Sequence, residues 1–191
     1  MAAVREHFHG LGDLPTGTGP GKLPLASSIR TGLINLQTAD STAVASTMTL
    51  TAFAGAGAYT LPANTARAGE LIRVSFAGTF GITATPTLSL SLNVGGVVRG
   101  ASDAVTLNAA GNWNVEVYIA CGTANAARIK IVFTIKTNTG TASVQTVYDA
   151  QDFDPTVANL IQLSALWSAS SASNTTTQVF RSVSREAVFG T

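Results

Sequence analysis

What this chain of 191 residues has least of is charge. Asp, Glu, Lys and Arg make up 11% of it, less than half of the roughly 25% usual in soluble domains. Eleven basic against ten acidic residues leave a net charge of +1. The basic residues stand singly, so no patch is available to neutralise a phosphate backbone, and no nucleic-acid partner is expected. No stretch approaches the roughly 18 uncharged apolar residues of a membrane span, so no membrane partner is expected either. The opening MAAVREHFHGLGDLPTGTGPGK lacks the basic start and continuous apolar segment of an export signal. A single cysteine, Cys121, excludes an internal disulfide. It reads as a small buried apolar residue, because a catalytic thiol needs a base beside it and none is indicated.

Histidine is almost as scarce. His7 and His9, the two in the chain, sit in a Gly-rich opening segment, whereas a Ser-His-Asp or Cys-His arrangement needs its base held rigidly against the nucleophile. With Asp13 nearby, the HFH spacing leaves a metal site around a symmetry axis as an alternative to plain polar arm residues. GTGPGKL, residues 17–23, falls short of a phosphate-binding loop: Thr16 stands where the first glycine belongs and Leu23 where magnesium needs a hydroxyl. Asp149, Asp152 and Asp154 gather before Pro155 without the spacing of a calcium loop, and read as solvated turn residues. Glu70, Glu116 and Glu186 are dispersed, so nothing pairs two carboxylates for glycoside hydrolysis. The expectation is a protein that is not an enzyme, with no catalytic residue, no cofactor and no metal.

Ala, Thr, Ser, Gly and Asn take the place of the missing charge, and such a neutral surface suits extensive contact with other subunits. Residues 1–46 read as an extended N-terminal arm. Gly10, Gly12, Gly17, Gly19 and Gly21 interleave there with Pro15, Pro20 and Pro24, which forbids a long helix and most sheet pairing. The arm also carries Phe8, Leu11, Leu14, Leu23, Leu25, Ile29, Leu33, Ile34 and Leu36, too many apolar residues for a solvated tail. They are the candidate partner-binding residues.

Residues 47–191 form a second unit with a period of two. MTLTAF, ELIRVSFAG, TLSLSLNV, WNVEVYIA, ARIKIVFTIK, SVQTVY, LIQLSALWSA and TTTQVFRSVSREAVF each alternate apolar with polar residues, as strands with one buried face do. Turn signals separate them: Pro62-Ala-Asn64, Gly95-Gly96, Asn108-Ala-Ala-Gly111, Asn138-Thr-Gly140 and Asp152-Phe-Asp154-Pro155. Eight or nine mostly antiparallel strands without a helix imply an all-β sandwich of jelly-roll type. Ile72, Val74 and Phe76 should point inward, with Arg73 and Ser75 outward. Leu88, Leu90, Leu92 and Val94 should also face the core, as should Trp113, Val115, Val117 and Ile119, and Ile129, Ile131, Phe133 and Ile135. Trp113 and Trp167 are expected to be packing residues.

LPANTARAGELIRVSFAGTF, residues 61–80, resembles the IPANTLRVGDxIRVxAxGT pattern of bacteriophage virion proteins with jelly-roll folds. Pro62, Ala63, Asn64, Thr65, Gly69, Glu70, Ile72 and Val74 match it, and Ala66 stands where the pattern often has a larger apolar residue. NWNVEVYI and LIQLSALWSASSASNTTTQVFRSVSREAV resemble further strands of the same group, so the likeness runs over about residues 47–188 and leaves the arm outside. The resemblance implies a virion protein that assembles, as a homotrimer. The leading expectation is a capsid decoration or cement protein whose arm lies on the major capsid protein or another virion protein. The alternatives are a tail-fibre, spike or neck-appendage module binding a host glycan, and a free carbohydrate-binding domain.

Overall fold

The computed structural model describes residues 32–122, 127–149 and 154–186. Seven long strands carry the fold: β5 (Leu71–Gly81), β6 (Thr87–Val94), β9 (Gly111–Cys121), β10 (Ala127–Thr137), β11 (Ser143–Asp149), β12 (Asn159–Trp167) and β13 (Thr175–Glu186). Six shorter ones lie along their edges: β1 (Gly32–Leu36), β2 (Val44–Ala45), β3 (Thr51–Ala52), β4 (Ala58–Leu61), β7 (Val97–Ala101) and β8 (Val105–Thr106). The described residues are all-β and contain no helix.

Two antiparallel sheets face each other as a sandwich. One runs β1-β13-β5-β9-β10-β11, with β2 continuing the β1 edge along β13. The other runs β3-β12-β6-β7, with β4 continuing the β3 edge on β12 and β8 the β7 edge on β6. From β5 onward the chain changes sheet between β5 and β6, β8 and β9, β11 and β12, and β12 and β13. Thus β5 pairs with β13 and β6 with β12, the nested first-with-last pairing of a jelly roll. β9, β10 and β11 instead form a meander that extends the β5 side.

The alternating residues assigned inward do fill the interior. Ile72, Val74, Phe76, Leu88, Leu90, Leu92, Val94, Val115, Val117, Ile119, Ile129, Ile131, Phe133 and Ile135 are all buried. Trp113 and Trp167 are each 1% exposed. Trp113 lies 5.5 Å from the Phe53 ring and donates from Nε1 to Thr176 Oγ1 at 2.9 Å, so its single polar atom enters the core with a partner. Trp167 Nε1 reaches the Val44 carbonyl at 3.4 Å. Cys121 is buried as well, and burial pushes its thiol pKa up to about 11.

The sandwich starts earlier in the chain than Thr47. β1 pairs with β13 from Gly32 to Leu36, and Ile34 packs against the core. A buried polar network then fixes the following residues. Gln178 Nε2 donates to Gln37 Oε1 at 2.7 Å, Ser41 Oγ accepts from the Gln178 amide at 3.0 Å, and Gln37 N donates to the Arg181 carbonyl at 2.8 Å. Arg181 points inward, donates to the Ala56 and Ala58 carbonyls at 2.8 Å each and to Asn35 Oδ1 at 3.0 Å, and stacks on Tyr59. Three oxygen acceptors and an aromatic face replace the water lost on burial. Residues 32–46, assigned to the arm by their sequence, are thus part of the sheet edge. The remaining arm candidates, Phe8, Leu11, Leu14, Leu23, Leu25 and Ile29, lie outside the described residues, as do His7, His9, Asp13 and residues 17–23.

MTLTAF, expected as a full strand, shrinks to Thr51–Ala52, because Met48 and Leu50 stay exposed and Phe53 alone turns into the core. AYTL and VVRGA, not assigned from sequence, pair as β4 and β7. Gly95 and Gly96 make the tight connection from β6 to β7 with φ of 63° and 83°, the left-handed pair that a two-residue hairpin turn requires.

Candidate functional site

The segment resembling virion proteins forms a structural clamp. Asn64 has φ 58°, a left-handed conformation that Asn tolerates better than most residues. Its amide donates to the Pro155 carbonyl at 3.0 Å, and Thr65 N closes the turn onto Pro62 O at 3.2 Å. Glu70 Oε2 accepts from the Arg67 amide at 3.0 Å and pairs with Arg185 Nε at 3.2 Å. Arg185 Nη2 also donates to the Thr65 carbonyl. The Gly69 amide bonds Cys121 O at 2.8 Å, and the Cys121 amide bonds Glu70 O at 2.9 Å. The turn is therefore tied to the ends of β9 and β13, and Ala66 is small and buried beneath it. Every matched residue serves turn, strand or clamp.

The acids expected in turns divide. Asp154 accepts from the Thr156 amide at 2.8 Å and the Thr156 hydroxyl at 2.6 Å, and these bonds hold its pKa below the usual carboxylate value. Asp149 sits in β11 and pairs with Arg99 of β7 at 3.4 Å, with both side chains buried, bridging the two sheets at their edge. Asp152 lies outside the described residues. Glu116 accepts from Arg73 Nε at 2.9 Å and Ser75 Oγ at 2.7 Å on the outer face of the seven-stranded sheet. That bond raises the Arg73 pKa further. Among the described residues, no three His, Cys, Asp or Glu side chains group closely enough to hold a metal ion.

The two outer faces differ sharply in character. On the six-stranded sheet β12 turns Leu160, Gln162, Ser164 and Leu166 outward, and β6 turns Ser89, Ser91 and Asn93 outward beside them. Thr60, Ala58, Ala52 and Ala101 continue these rows on the flanking strands. The sole charged residue in the strands of this sheet is Arg99, which is buried in its ion pair. Charge is concentrated on the other sheet, where register aligns Arg73, Tyr118, Lys130 and Tyr148 across four neighbouring strands. Lys130 Nζ lies 5.7 Å from the Tyr118 ring centre and 6.0 Å from that of Tyr148, and the Arg73 guanidinium lies 5.7 Å from Tyr118.

Beside this row is a groove of about 370 Å³ lined by Tyr118, Ala120, Arg128, Lys130, Tyr148 and Asp149. Alternation in ARIKIVFTIK was the sequence signal that turned Lys130 outward, whereas Tyr118 and Tyr148 were not singled out by the sequence. Their alignment comes from strand register. On the far edge of the same sheet, Leu33 and Leu36 are 62% and 46% exposed, and Val179 and Phe180 of β13 are also exposed. The arm candidates that are described thus divide into two exposed leucines and the half-buried Ile34.

The fold and faces define an antiparallel β-sandwich with one uncharged and one charged outer surface. No protein-family model matches the chain, and no curated protein matches its sequence. Among solved structures, the CBM2 module of the evolved Dit of Lactobacillus casei BL23 phage J-1 is similar, with a TM-score of 0.44 and 8% identity over 86% of this chain and 99% of that one. Dimeric latent PorU from Porphyromonas gingivalis is similar with a TM-score of 0.35 and 14% identity, over 84% of this chain and 13% of that one. At these values neither likeness assigns a function.

Proposed function

We propose that the chain is a non-enzymatic structural module of a bacteriophage virion that works as an assembled homotrimer. The observation that carries the assembly is the outer face of the six-stranded sheet, where Leu160 is exposed and Gln162, Ser89, Asn93 and Leu166 are half-buried, without a charge among them. A free sheet normally guards its face and edges with charge, whereas a neutral, small-residue face can be covered by an identical neighbour with little desolvation cost. Placement in a virion is supported by the residues matching the phage pattern, all of which form the turn and clamp at the start of β5. The finer reading is a capsid decoration or cement protein, attached to the major capsid protein through the segment before β1 and the exposed Leu33 and Leu36 that continue it.

The test has two parts. Light scattering on the full chain should give a trimer, and Ser89→Lys, on the uncharged face, should release monomers that keep the native circular dichroism. Thr134→Lys, on the opposite face, should remain trimeric. A wild-type monomer at micromolar concentration refutes the assembly. In purified particles, copies on the scale of the shell subunits support decoration, while copies on the scale of tail or neck subunits move the module there. Removal of residues 2–31 should abolish attachment, and undiminished attachment would exclude the arm as the anchor.

A further inference from the structure

We infer that the Tyr118–Lys130–Tyr148 row and its groove form a binding site for a saccharide that bears an acidic group. The inference is independent of the proposed assembly, because this site lies on the outer face of the opposite sheet. Three features of the face point to such a ligand.

The first is the pair of aromatic rings. Tyr118 and Tyr148 are in register with Lys130 on the intervening strand, so their backbones stand roughly 10 Å apart, twice the inter-strand spacing. Tyr148 offers its ring to the C–H face of a sugar, and Tyr118, whose ring lies beside Arg73 and Lys130, walls the site on the other side of Lys130. Tyr148 is 73% exposed. An aromatic ring with its face in water and a hydroxyl at its tip offers the mixed apolar and polar surface that a sugar ring presents.

The second is the charge left over. Among the described residues, Lys130 has no carboxylate partner, and its ammonium is balanced by the two ring faces alone. The carboxylates nearby are already engaged, Asp149 by Arg99 and Glu116 by Arg73 and Ser75. Lys130 therefore supplies a positive charge that an acidic ligand group can meet, while the Asp149 carboxylate in the lining is held by Arg99.

The third is shape. Ala120 is the small residue between Tyr118 and Arg128 in the lining, and it leaves a groove of about 370 Å³ open at the surface. This volume is at the lower end of small-ligand sites, enough for a short saccharide segment. A single-stranded nucleic acid also uses aromatic platforms and cations, but it needs a groove of several basic residues that tracks the phosphates. Lys130 in the lining favours a ligand with an isolated charge.

The experiment titrates the full chain with four probes: a tetrameric oligogalacturonide, a sulfated heparin tetrasaccharide, a neutral cello-tetraose and a thymidine octanucleotide. Binding is read by amide chemical shifts and calorimetry. At least one acidic saccharide should bind at sub-millimolar to millimolar concentration and shift the amides of Tyr118, Lys130 and Tyr148. Affinity should fall about tenfold or more in Tyr148→Ala and in Lys130→Gln. It should weaken severalfold as salt rises from about 50 to 200 mM. The fluorescence of buried Trp113 and Trp167 monitors the fold of each variant. Equal binding of cello-tetraose overturns the acidic requirement, and tighter binding of the octanucleotide replaces the saccharide by nucleic acid. Absence of binding by both acidic probes at 5 mM, roughly the weak limit of a specific site, overturns the site, as does acidic binding unchanged in both variants.

Discussion

Replacing Gly78 with Ala tests how tightly the sheets close around Trp113. Gly78 lies on the inward face of β5 opposite Trp113 on β9 and Gln178 on β13. A Cβ placed there would fall 2.2 Å from Trp113 Cζ2, 2.3 Å from the Thr177 carbonyl oxygen and 2.4 Å from Trp113 Cε2. The Thr177 carbonyl belongs to the β5–β13 pairing, so it cannot retreat without opening the ladder. That contact strains the ladder, and the indole must move as well, losing both its 2.9 Å bond to Thr176 and its packing on Phe53. Overpacking costs about 1 to 3 kcal/mol, and the lost buried hydrogen bond adds about 1 kcal/mol. The expected destabilisation is about 2 to 4 kcal/mol, or a fall in Tm of roughly 5 to 15 °C for a domain of this size. Urea unfolding followed by circular dichroism measures it through the shift in midpoint at constant slope. Gly81→Ala is the internal control, since its Cβ would meet nothing nearer than 3.3 Å, and should cost under about 1 kcal/mol. Placing Gly78→Ala in a Trp113→Leu background should remove the part of its cost that comes from the ring and leave the part that comes from the Thr177 carbonyl. A cost below about 1 kcal/mol for Gly78→Ala, or one unchanged by Trp113→Leu, would refute the close packing of Trp113 on β5.

Three further outcomes follow from the same geometry. Ile72→Ala should cost about 2 to 5 kcal/mol, since the side chain is fully buried, while Arg73→Ala, which removes a partly exposed ion pair, should cost under about 1 kcal/mol; equal small losses in chemical unfolding would reverse the face assignment. Glu70→Ala should cost about 3 kcal/mol by leaving the mostly buried Arg185 guanidinium without its carboxylate, and exchange protection of the Gly69 and Cys121 amides should fall with it. The Cys121 thiol, with its pKa pushed from 9.0 to about 11, stays neutral in the folded chain while the unfolded chain ionises near 9. Its contribution to stability is therefore full below pH 9 and is lost as pH rises from about 9 to about 11. Alkylation at pH 8 should run roughly a hundredfold slower in the native protein than in denaturant, and equal rates would place the thiol at the surface.

The sequence alone determined the seven long strands and the inward faces of β5, β6, β9 and β10, because a period of two is a local property: Ile72, Leu90, Val117 and Ile131 can be assigned inward without knowing what they face. It also marked the hairpin at Gly95-Gly96, whose backbone requires glycine, and the burial of both tryptophans. Tertiary structure decided the rest. β1, β2, β3, β4, β7 and β8 are two to five residues long, too short for alternation to register, and they are strands because β13, β12 and β6 offer them unpaired amides and carbonyls. Gln37 and Ser41 look like arm residues until the bulge at β13 brings Gln178 and Arg181 beside them. The uncharged surface becomes visible once β4, β12, β6 and β7 are known to be neighbours, since each strand alone is merely polar. Tyr118, Lys130 and Tyr148 are distant in sequence and adjacent in space because two successive hairpins set their register. Alternation fixes which side of a strand a residue takes, but hydrogen-bond pairing between strands fixes which residues it meets there.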